Sequence, residues 1–329
     1  MNVLVTGATG FLGQHLSRRL VKEGYNVTIL CRPTSNTNVL ADLKLNKIIG
    51  DVTDAQAVSE AVAGNDLVFH AAAHLAYWGG EKEIQNRINI EGTKNVVEAC
   101  LQTGVRKLVH ISSVVAVGIP KNPERPADES FNFNLENKPL NYHNSKKRSE
   151  DLVQSAVKKG LNAVILNPGS LWGPNGRKYY GAEFLQKVLR GRIASYFTGG
   201  ICAVHVEDVV EGIMAALTKG KIGERYILGG ENLTFKTITE MVVSEKKLKR
   251  IFVPVPPAAT WLSAAVLESA ALVTRRRPKI TFVTHYGVSK FYYYDSGKAK
   301  KELGYSPRNF KSIFDECLSF IERQEKINV

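Results

Sequence analysis

Short apolar runs alternate with stretches of helical periodicity along the first half of the chain. The apolar runs occupy residues 3–5, 27–30, 47–50, 67–69, 108–111 and 163–166. Between them, apolar residues recur at the spacing of an amphipathic helix, as at Leu16 and Leu20 after the first run. Strands that alternate with helices in this way predict a parallel sheet covered by helices on both faces. We therefore expect an α/β protein with a doubly wound parallel sheet.

Two longer helices are predicted before and after the fifth apolar run. The first spans residues 81–101 and is followed by Gly104, and the second spans residues 141–159 and is followed by Gly160. Glycine just past the last apolar position is typical of a helix C-terminus. Residues 120–139 are rich in Pro, Asn and charged side chains, so we expect a surface loop there.

The segment TGATGFLG at residues 6–13 joins the first predicted strand to the first predicted helix. Gly7, Gly10 and Gly13 fit three needs of dinucleotide binding: a tight turn, a bare backbone beside a pyrophosphate, and close packing of helix on sheet. The diphosphate would bind to free amides at the helix N-terminus. This turn indicates a Rossmann fold with a dinucleotide cofactor. The residues expected to contact the cofactor here are Gly7, Thr9, Gly10, Phe11, Leu12 and Gly13.

The tip of the second strand indicates which dinucleotide is bound. An acidic residue there would bond the ribose 2′-hydroxyl of NAD, but the chain has Arg32 and no acid. A guanidinium suits a 2′-phosphate, so we expect NADP, with a solvated surface arginine as the alternative. Asp51 and Val52 follow the third strand, beside the expected adenine. Thr53, with Gln56 three residues on, resembles a capping box for the next helix.

Small or polar residues follow the other strands at the same edge of the sheet, where a cofactor would lie against the backbone. His70 ends the fourth strand, and we interpret it as a packed histidine rather than a catalytic one. The further residues expected to contact the cofactor are Ala71, Ala72, Ala73, Ser112, Asn167, Pro168, Gly169 and Ser170.

The alternation weakens after residue 171, where Gly, Tyr and Trp become frequent. We expect residues 1–170 to form the dinucleotide-binding Rossmann domain and residues 171–329 to form mainly a smaller substrate-binding lobe. A returning segment near residues 203–228 should add a strand at 226–228 to the main sheet. The aromatic side chains expected to cover the carboxyl ends of the strands are Trp172, Tyr179, Tyr180, Tyr196 and Phe197.

Tyr142 and Lys146 are four residues apart near the start of a predicted helix, so their side chains share one face. A phenol has a reference pKa of about 10, and a neighbouring ammonium favours the phenolate. Tyr142 could then exchange a proton with a substrate oxygen while a nicotinamide exchanges a hydride, and both residues would also contact the cofactor. Ser113 ends the preceding strand and could hold the substrate oxygen. Ser112 is the alternative, because adjacent residues at a strand end point to opposite sides.

Eight motifs within residues 6–210 carry a family resemblance. They are TGATGFLG (6–13), GDVTD (50–54), VFHAAA (68–73), NIEGTKNVVEAC (89–100), HISSVVAVG (110–118), YHNSK (142–146), NPGSLWGP (167–174) and HVEDVV (205–210). With these motifs the chain resembles the extended short-chain dehydrogenase/reductases, which include NAD(P)-dependent sugar epimerases, 3β-hydroxysteroid dehydrogenases and dihydroflavonol 4-reductases. The resemblance implies that Ser113, Tyr142 and Lys146 form a catalytic triad. It also implies that His205 and Asp208 are structural.

Within this family, the CRP sequence at residues 31–33 resembles the dihydroflavonol 4-reductase branch, which uses NADPH. The chain departs from plant members of that branch at Gly118, where they often place a substrate-binding asparagine. It is more similar to bacterial proteins called dihydroflavonol reductases, sterol dehydrogenases or hopanoid-associated epimerases. The family resemblance further implies a homodimer, formed by the helices at residues 81–101 and 142–159.

Composition and charge narrow the expected partners and location. The chain has 329 residues, 44% of them hydrophobic, and a formal net charge of +13. A basic chain could bind nucleic acid, an anionic membrane, or an anionic cofactor and substrate, but no basic stripe is interleaved with aromatic residues, so we expect no nucleic acid. The four cysteines show no metal-type pairing, so we expect reduced, packed thiols and no metal. No signal peptide precedes the glycine turn, so we expect a cytoplasmic protein.

These features predict an NADPH-dependent oxidoreductase that interconverts a carbonyl and a secondary alcohol on a small or apolar substrate. The alternative is a nucleotide-sugar epimerase/dehydratase, which uses the same triad and holds its cofactor tightly. Such enzymes normally prefer NAD, and Arg32 argues against that interpretation. A non-catalytic redox sensor that binds NADP is the third hypothesis, but that class typically lacks the tyrosine.

The segment at residues 258–273 is apolar except for Glu268 and is followed by Arg275, Arg276 and Arg277. Sixteen residues of helix span about 24 Å, less than the roughly 30 Å of a hydrocarbon core, so we do not expect a transmembrane helix. One interpretation is a helix packed on the core of the substrate lobe. The other is an exposed helix at the substrate entrance that touches an anionic membrane surface, which would make the protein peripheral to a membrane.

Overall fold

The chain folds around a central parallel sheet and a second, smaller sheet, in a computed structural model that describes residues 1–174, 180–190, 195–247 and 252–327. The strands, in chain order, are β1 (Asn2–Thr6), β2 (Asn26–Cys31), β3 (Asn46–Ile49), β4 (Leu67–His70), β5 (Lys107–Ile111), β6 (Ala163–Pro168), β7 (Ser170–Trp172), β8 (Ser195–Tyr196), β9 (Gly200–His205), β10 (Arg225–Leu228), β11 (Glu231–Thr234), β12 (Val253–Pro254) and β13 (Phe291–Tyr292). The helices are α1 (Phe11–Lys22), α2 (Ala55–Val62), α3 (Lys82–Asn86), α4 (Gly92–Thr103), α5 (Asn141–Val157), α6 (Tyr180–Leu189), α7 (Val206–Lys219), α8 (Phe235–Glu245), α9 (Pro257–Thr274), α10 (Phe282–Val288), α11 (Gly297–Leu303) and α12 (Phe310–Ile327).

Seven of these strands form one sheet in the order β10-β6-β5-β4-β1-β2-β3, and every pairing in it is parallel. The chain begins in the middle of the sheet at β1, proceeds outward to β3, and then crosses back to β4 and the far edge. This strand order is that of a doubly wound Rossmann sheet and confirms the predicted fold class. The predicted returning strand is β10, which pairs with β6.

The strands are continuously apolar because both faces of the sheet are covered. In β1, Val3 and Val5 belong to the hydrophobic cluster that includes α1 and α7. Leu4 belongs to the cluster on the other face, with α2, α4 and α5. All three side chains are fully buried, as the two-residue repeat of a strand requires when helices pack on both sides.

The predicted helix at residues 81–101 is one helical segment whose winding changes along its length. Helix α3 continues into a π turn at Arg87–Glu91 and then into α4. Gly104 follows α4 with φ +67°, so it ends the helix in the left-handed conformation that the sequence predicted. Turns of the π type are often found at functional sites, and this one brings Asn89 towards α5, where its Nδ2 donates to Ser145 Oγ at 2.9 Å.

The N-terminus of α2 differs from the predicted capping box. Asp54, rather than Thr53, is the N-cap, and its carboxylate accepts hydrogen bonds from the amides of Gln56 and Ala57. The Thr53 hydroxyl instead donates to Asp51 Oδ1 at 2.9 Å. A carboxylate at the N-cap also complements the positive end of the helix dipole, which explains why Asp54 takes this position.

The smaller lobe has its own sheet and core. Its sheet has the order β11-β9-β13, and β7 also pairs with β9. Trp172 is 2% exposed and packs edge-on against Phe310 of α12, with ring centroids 4.9 Å apart. Trp172 is therefore a core residue. The prediction that it covers the carboxyl ends of the strands is wrong. Tyr179 and the side chain of Tyr180 lie outside the part of the chain that the structure describes.

The four cysteines are free, buried thiols, as predicted. Burial raises the pKa of Cys100 and of Cys202 to about 12. These thiols therefore stay protonated and pack as small apolar side chains.

Candidate active site

A cavity of about 460 Å³ lies at the carboxyl edge of the main sheet. One end is formed by the glycine turn and the strand ends, and the other by side chains of the loop after β4 and of the smaller lobe. Every residue that the sequence assigned to catalysis or cofactor binding lines this cavity, apart from Asn167. These lining residues are Gly7, Thr9, Gly10, Phe11, Leu12, Gly13, Arg32, Asp51, Val52, Ala71, Ala72, Ala73, Ser112, Ser113, Tyr142, Lys146, Pro168, Gly169 and Ser170.

The glycine turn surrounds one end of the cavity with backbone. A Cβ on Gly7 would lie 2.6 Å from backbone atoms of Ala71 and Ala72, and Gly7 adopts φ +72°. A Cβ on Gly13 would lie 2.1 Å from the Gly7 carbonyl oxygen. Gly10 is the N-cap of α1 and provides no side-chain cap, so the first amides of that helix have no acceptor from the cap. This cradle fits the diphosphate of a dinucleotide.

A buried chain of hydrogen bonds fixes the segment after β4 against the glycine turn. The Thr93 hydroxyl donates to the Asn89 carbonyl at 2.7 Å, so it accepts from His70 Nε2 at 3.0 Å. His70 Nδ1 then accepts from the Thr6 hydroxyl at 2.7 Å, and Thr6 Oγ1 accepts from the Ala72 amide at 3.3 Å. This chain requires a neutral imidazole, and burial lowers the pKa of His70 to about 3. His70 is thus a packed residue, as predicted, and supports the cradle through Thr6.

Arg32 and Asp51 lie at the tips of β2 and β3, at the same end of the cavity. The Arg32 side chain is exposed, and no acidic side chain of the described residues pairs with its guanidinium. Asp51 Oδ1 accepts hydrogen bonds from the amide and the hydroxyl of Thr53, both at 2.9 Å. The carboxylate therefore stabilises its own loop, while the guanidinium is available to a ligand at this tip.

Helix α5 presents Tyr142 and Lys146 one turn apart on the wall of the cavity. Lys146 is 2% exposed, and its Nζ donates to the Ile111 carbonyl at 3.0 Å. Burial lowers the pKa of Lys146 to about 8, and the nearby Glu150 carboxylate opposes that shift. The ammonium is therefore charged at neutral pH and fixed in place beside the tyrosine.

A buried polar network behind Lys146 was not predicted from the sequence. Glu150 forms an ion pair with Arg225 of β10, and its Oε1 accepts from Asn167 Nδ2 at 2.6 Å. The same amide donates to the Ser113 carbonyl at 2.8 Å. Asn167 is therefore fully buried behind the cavity wall and connects the ion pair to the end of β5. The four-residue step from Lys146 to Glu150 was the signal in the sequence that could have revealed this network.

Two serine hydroxyls lie at the end of β5. Ser113 Oγ accepts from the Val115 amide at 3.4 Å, as the N-cap of a short 3-10 turn. Because it accepts that bond, its own proton is available to donate into the cavity. Ser112 is 7% exposed, and its Oγ has no hydrogen-bond partner among the described residues. Both serines line the cavity, but the Ser112 hydroxyl is itself buried, whereas Ser113 is partly exposed.

The other end of the cavity is lined by side chains that sequence reasoning missed. Tyr77 lies edge-on to Tyr142, with ring centroids 6.1 Å apart. His143 Nε2 lies 3.3 Å from the Tyr292 hydroxyl, and burial lowers the pKa of His143 to about 3, so this histidine is neutral. Tyr77 and Tyr292 are far in the sequence from the Tyr142–His143 pair, so no local motif brings them to it. The apolar side chains at this end are Leu75, Phe235, Val283 and Val288.

Three positions singled out in the sequence lie away from the cavity lining. Tyr196 and Phe197, predicted to cover the strand ends, do not line it, and Phe197 packs against a neighbouring ring of the lobe. Gly118 has φ +120°, and a Cβ there would lie 3.0 Å from both Asn134 Oδ1 and the Phe131 ring. A side chain at the position where plant relatives often place a substrate-binding asparagine would therefore strain the backbone and displace the Asn134 or Phe131 side chain.

His205 and Asp208 have structural contacts, in agreement with the family resemblance. His205 Nδ1 accepts from the Glu207 amide at 3.2 Å and caps α7. Asp208 Oδ1 accepts from Arg308 Nε at 2.9 Å. Asp208 therefore ties α7 to the segment before α12.

The strand order, the glycine cradle and the Tyr142–Lys146 face of α5 meet at one cavity. Together they define an enzyme of the Rossmann class that uses a nicotinamide dinucleotide. The model of the NAD dependent epimerase/dehydratase family matches residues 3–229, and the chain belongs to that family. The resemblance to the extended short-chain dehydrogenase/reductases is thereby confirmed.

Several relatives match over nearly the whole chain. A protein of Synechocystis sp., provisionally named dihydroflavonol 4-reductase, is 30% identical over 323 residues, which are 97% of this chain and 94% of that protein. Sterol demethylase protein B of Methylococcus capsulatus is 28% identical over 99% of this chain and 100% of its own. The crystal structure of gox2253 matches with a TM-score of 0.84 and 34% identity, over 98% of each chain. The relatives that match over nearly their whole length thus include one that is named as a reductase.

Proposed function

We propose that this chain is an NADPH-dependent oxidoreductase, similar to dihydroflavonol 4-reductase, that interconverts a carbonyl and a secondary alcohol on an apolar substrate. The observation that carries the proposal is the position of Tyr142 between the two ends of the cavity. On one side it shares a helix face with the buried Lys146, and on the other it meets the ring of Tyr77.

The residues of the cradle end fit the parts of NADPH. The glycine turn would hold the diphosphate, and Arg32 would form charge-assisted bonds with the 2′-phosphate. Lys146 has three donors, one of which bonds Ile111, so the others are available to the nicotinamide ribose. When bound, the cofactor supplies or accepts a hydride. We assign residues 1–170, together with β10, to cofactor binding, and residues 171–329 mainly to substrate binding.

The proton is carried by the residues of α5 and β5. In the direction of reduction, the Tyr142 hydroxyl gives its proton to the substrate oxygen while the carbonyl carbon gains a hydride. The Lys146 ammonium stabilises the phenolate that remains. Ser113 donates a hydrogen bond to the same oxygen and fixes its position beside Tyr142. In the direction of oxidation, the alcohol returns its proton to the phenolate.

The substrate end of the cavity favours an apolar molecule that carries few polar groups. Most of its side chains are aliphatic or aromatic. The polar ones are His74, Thr284 and the pair of neutral His143 with Tyr292. The names of two relatives, dihydroflavonol 4-reductase and sterol demethylase protein B, support an apolar substrate class.

Consumption of NADPH with a panel of ketones and aldehydes tests this function. We expect steady consumption with at least one apolar ketone. Tyr142→Phe should lower kcat by about a hundredfold or more and leave the cofactor Kd nearly unchanged, because only the proton-transfer group is removed. Lys146→Ala should damage both quantities, and Tyr196→Phe, outside the cavity, serves as the matched control.

Retained turnover in Tyr142→Phe would overturn the proposed mechanism. A cofactor that copurifies tightly, without net consumption of NADPH for any ketone of the panel, would instead favour the nucleotide-sugar epimerase/dehydratase.

A further inference from the structure

Most large apolar side chains of helix α9 are exposed, and its buried positions are occupied by small residues. Leu272 is 84% exposed and Val273 is 86% exposed, whereas the buried positions are Thr260, Ala264 and Ala271. A surface helix that packs on a core shows the opposite arrangement, so α9 is not a helix packed into the core of the lobe. Six of the eleven exposed large apolar side chains in the described part of the chain lie on α9 and at the start of α10. They are Trp261, Leu262, Val266, Leu272, Val273 and Phe282.

The exposed charges beside this apolar surface are positive. Glu268, the single acid of α9, faces α10, where its Oε1 accepts from the Phe282 amide at 2.9 Å. Arg275, Arg276 and Lys279 follow the helix and are exposed. Among the residues that the structure describes, no acidic side chain pairs with Arg275 or Arg276. The surface therefore combines bulky apolar groups with uncompensated cations.

This surface lies directly outside the substrate end of the cavity. Helix α9 is fixed to α10 by a hydrogen bond between the Thr260 hydroxyl and His285 Nδ1 at 2.7 Å, and α10 contributes Val283 to the cavity lining. Arg277 forms an ion pair with Glu81, with the Nε and Oε1 atoms 3.4 Å apart, and so ties the end of α9 to the segment before α3. The apolar surface is thus one helix layer away from the cavity.

Charge and length identify the occupant of this surface. A second copy of a basic chain would bring like charges against these arginines, whereas an anionic lipid surface complements them. By length and composition the helix passes as a candidate membrane span, with 18 residues that extend over about 27 Å, slightly less than the roughly 30 Å of a hydrocarbon core. Its hydrogen bonds to α10 hold it along the protein, which suits a helix that lies in the plane of the interface.

We propose that α9 and the start of α10 form a docking surface for an anionic lipid bilayer, from which the apolar substrate enters the cavity. The large apolar side chains would insert at the boundary of the acyl chains, while Arg275, Arg276 and Lys279 would contact lipid phosphates. The entry route rests on the proposed function, but the docking does not.

Cosedimentation with vesicles of equal parts phosphatidylglycerol and phosphatidylcholine tests the docking. The unaltered protein should bind these vesicles at low salt and should bind pure phosphatidylcholine vesicles far more weakly. Arg275→Gln with Arg276→Gln should lower the partition coefficient by about thirtyfold, since each arginine near an anionic surface contributes about 1 kcal/mol. Leu272→Glu with Val273→Glu should abolish binding, and both side chains are so exposed that folding should be unaffected.

Matched control variants distinguish binding through this surface from nonspecific effects of net charge and exposed apolar side chains. Lys300→Gln with Lys301→Gln removes two exposed cations elsewhere, and Ile222→Glu alters an apolar side chain that is 61% exposed on another surface. Both should bind like the unaltered protein. Vesicles should also shift the tryptophan emission to shorter wavelength, and Trp261→Phe should remove that shift.

Three results would overturn the docking. In the first, the unaltered protein stays in the supernatant with anionic vesicles at low salt. In the second, the Leu272→Glu/Val273→Glu variant binds the vesicles as well as the unaltered protein does. In the third, without vesicles, that variant has a lower oligomeric mass than the unaltered protein. The third result would make α9 a contact between copies of this chain.

Turnover tests the entry route separately. The most active ketone of the panel is supplied either dissolved in buffer or within anionic vesicles, and Leu272→Glu/Val273→Glu should be slow only with the vesicles. Equal rates for variant and unaltered protein with vesicles would overturn the entry route. If vesicle binding persists but neither protein consumes NADPH with any ketone, the proposed function fails and the docking stands.

Discussion

Arg32 is the side chain that we propose distinguishes NADPH from NADH in this chain. Its guanidinium is exposed at the tip of β2, and the nearest acid at this tip, Asp51, is occupied by its own loop. We expect NADPH to bind at least about tenfold more tightly than NADH, because the extra phosphate gains charge-assisted bonds of at least about 1.4 kcal/mol. Titration of both cofactors by calorimetry measures this ratio.

The variant Arg32→Asp should reverse much of that preference, because a carboxylate repels the 2′-phosphate and accepts from a 2′-hydroxyl. Arg106→Asp places the same charge change on an exposed residue just before β5, at the opposite edge of the sheet, and should leave the ratio unchanged. Equal affinities for NADPH and NADH in the unaltered protein would show that the cofactor assignment is wrong.

Asn167 shows where sequence reasoning at single positions stops. The glycine turn could be placed from the sequence because its requirements are local: a positive φ at Gly7 and a close backbone contact at Gly13. Asn167 stands in a motif of the same kind, but the side chains of a strand alternate between its faces, and this amide points to Glu150. A motif gives the position of a residue along the strand, whereas the partner on the neighbouring helix decides which way it points.

Three buried histidines on β4, β5 and α5 make these elements sensitive to acid. His70 and His110 lie opposite each other in the register of β4 and β5, and His143 follows Tyr142 in α5. Burial lowers the pKa of His70 and His143 to about 3, and it also lowers the pKa of His110. Below about pH 6.5 these histidines bind protons in the unfolded chain but stay neutral in the folded chain. The free energy of unfolding therefore falls as the pH drops.

Each buried histidine should contribute up to about 1.4 kcal/mol per pH unit to this fall below about pH 6.5, and it should add nothing to the slope well above that pH. Denaturant unfolding at about pH 7 and about pH 5.5 measures the slope. His143→Gln removes one titrating group, so its free energy of unfolding should fall less between about pH 7 and about pH 5.5 than that of the unaltered protein. Near about pH 8 the free energy of unfolding should depend on pH in the same way in both proteins. A variant that keeps the full slope would contradict this account.

The elements of the first half were predictable because each carries its own pattern, whereas α9 needed the structure. Apolar runs fix the strands of the sheet, and Gly104 and Gly160 mark the ends of helices. For α9, composition alone fits both a core helix and an exposed one, since nearly every position is apolar. Only the packing shows that Thr260, Ala264 and Ala271 face inward and that the bulky residues do not.

At the scale of the whole molecule, one end of the cavity is formed by local sequence motifs and the other by residues that are distant in the sequence. The cradle comes from the ends of parallel strands, which meet at one edge of any doubly wound sheet. The substrate end brings together Tyr77, Phe235 and Tyr292, and more than half of the chain separates Tyr77 from Tyr292. These residues come together only when the smaller lobe packs over the sheet. The sequence therefore predicts the cofactor end of the cavity but not the residues of its other end.

The outer faces of α4 and α5 are the expected contact between two copies of this chain. The two helices lie side by side on one face of the sheet. Glu91 just before α4, Glu98 on α4 and Arg148 on α5 are exposed, and Leu101 and Leu152 are only partly buried. A two-fold axis between these helices would pair acidic with basic residues and cover the leucines in a four-helix contact. We therefore expect a particle of twice 36.3 kDa by sedimentation equilibrium at micromolar concentration.

Leu101→Arg should dissociate this dimer, because it places a charge in the covered part of the contact. Leu272→Glu with Val273→Glu, on the far surface formed by α9, should leave the mass unchanged and so serves as the control. A monomeric mass for the unaltered protein would refute the dimer. A dimer that survives Leu101→Arg would place the contact on another surface, since an isologous interface must include the altered residue twice.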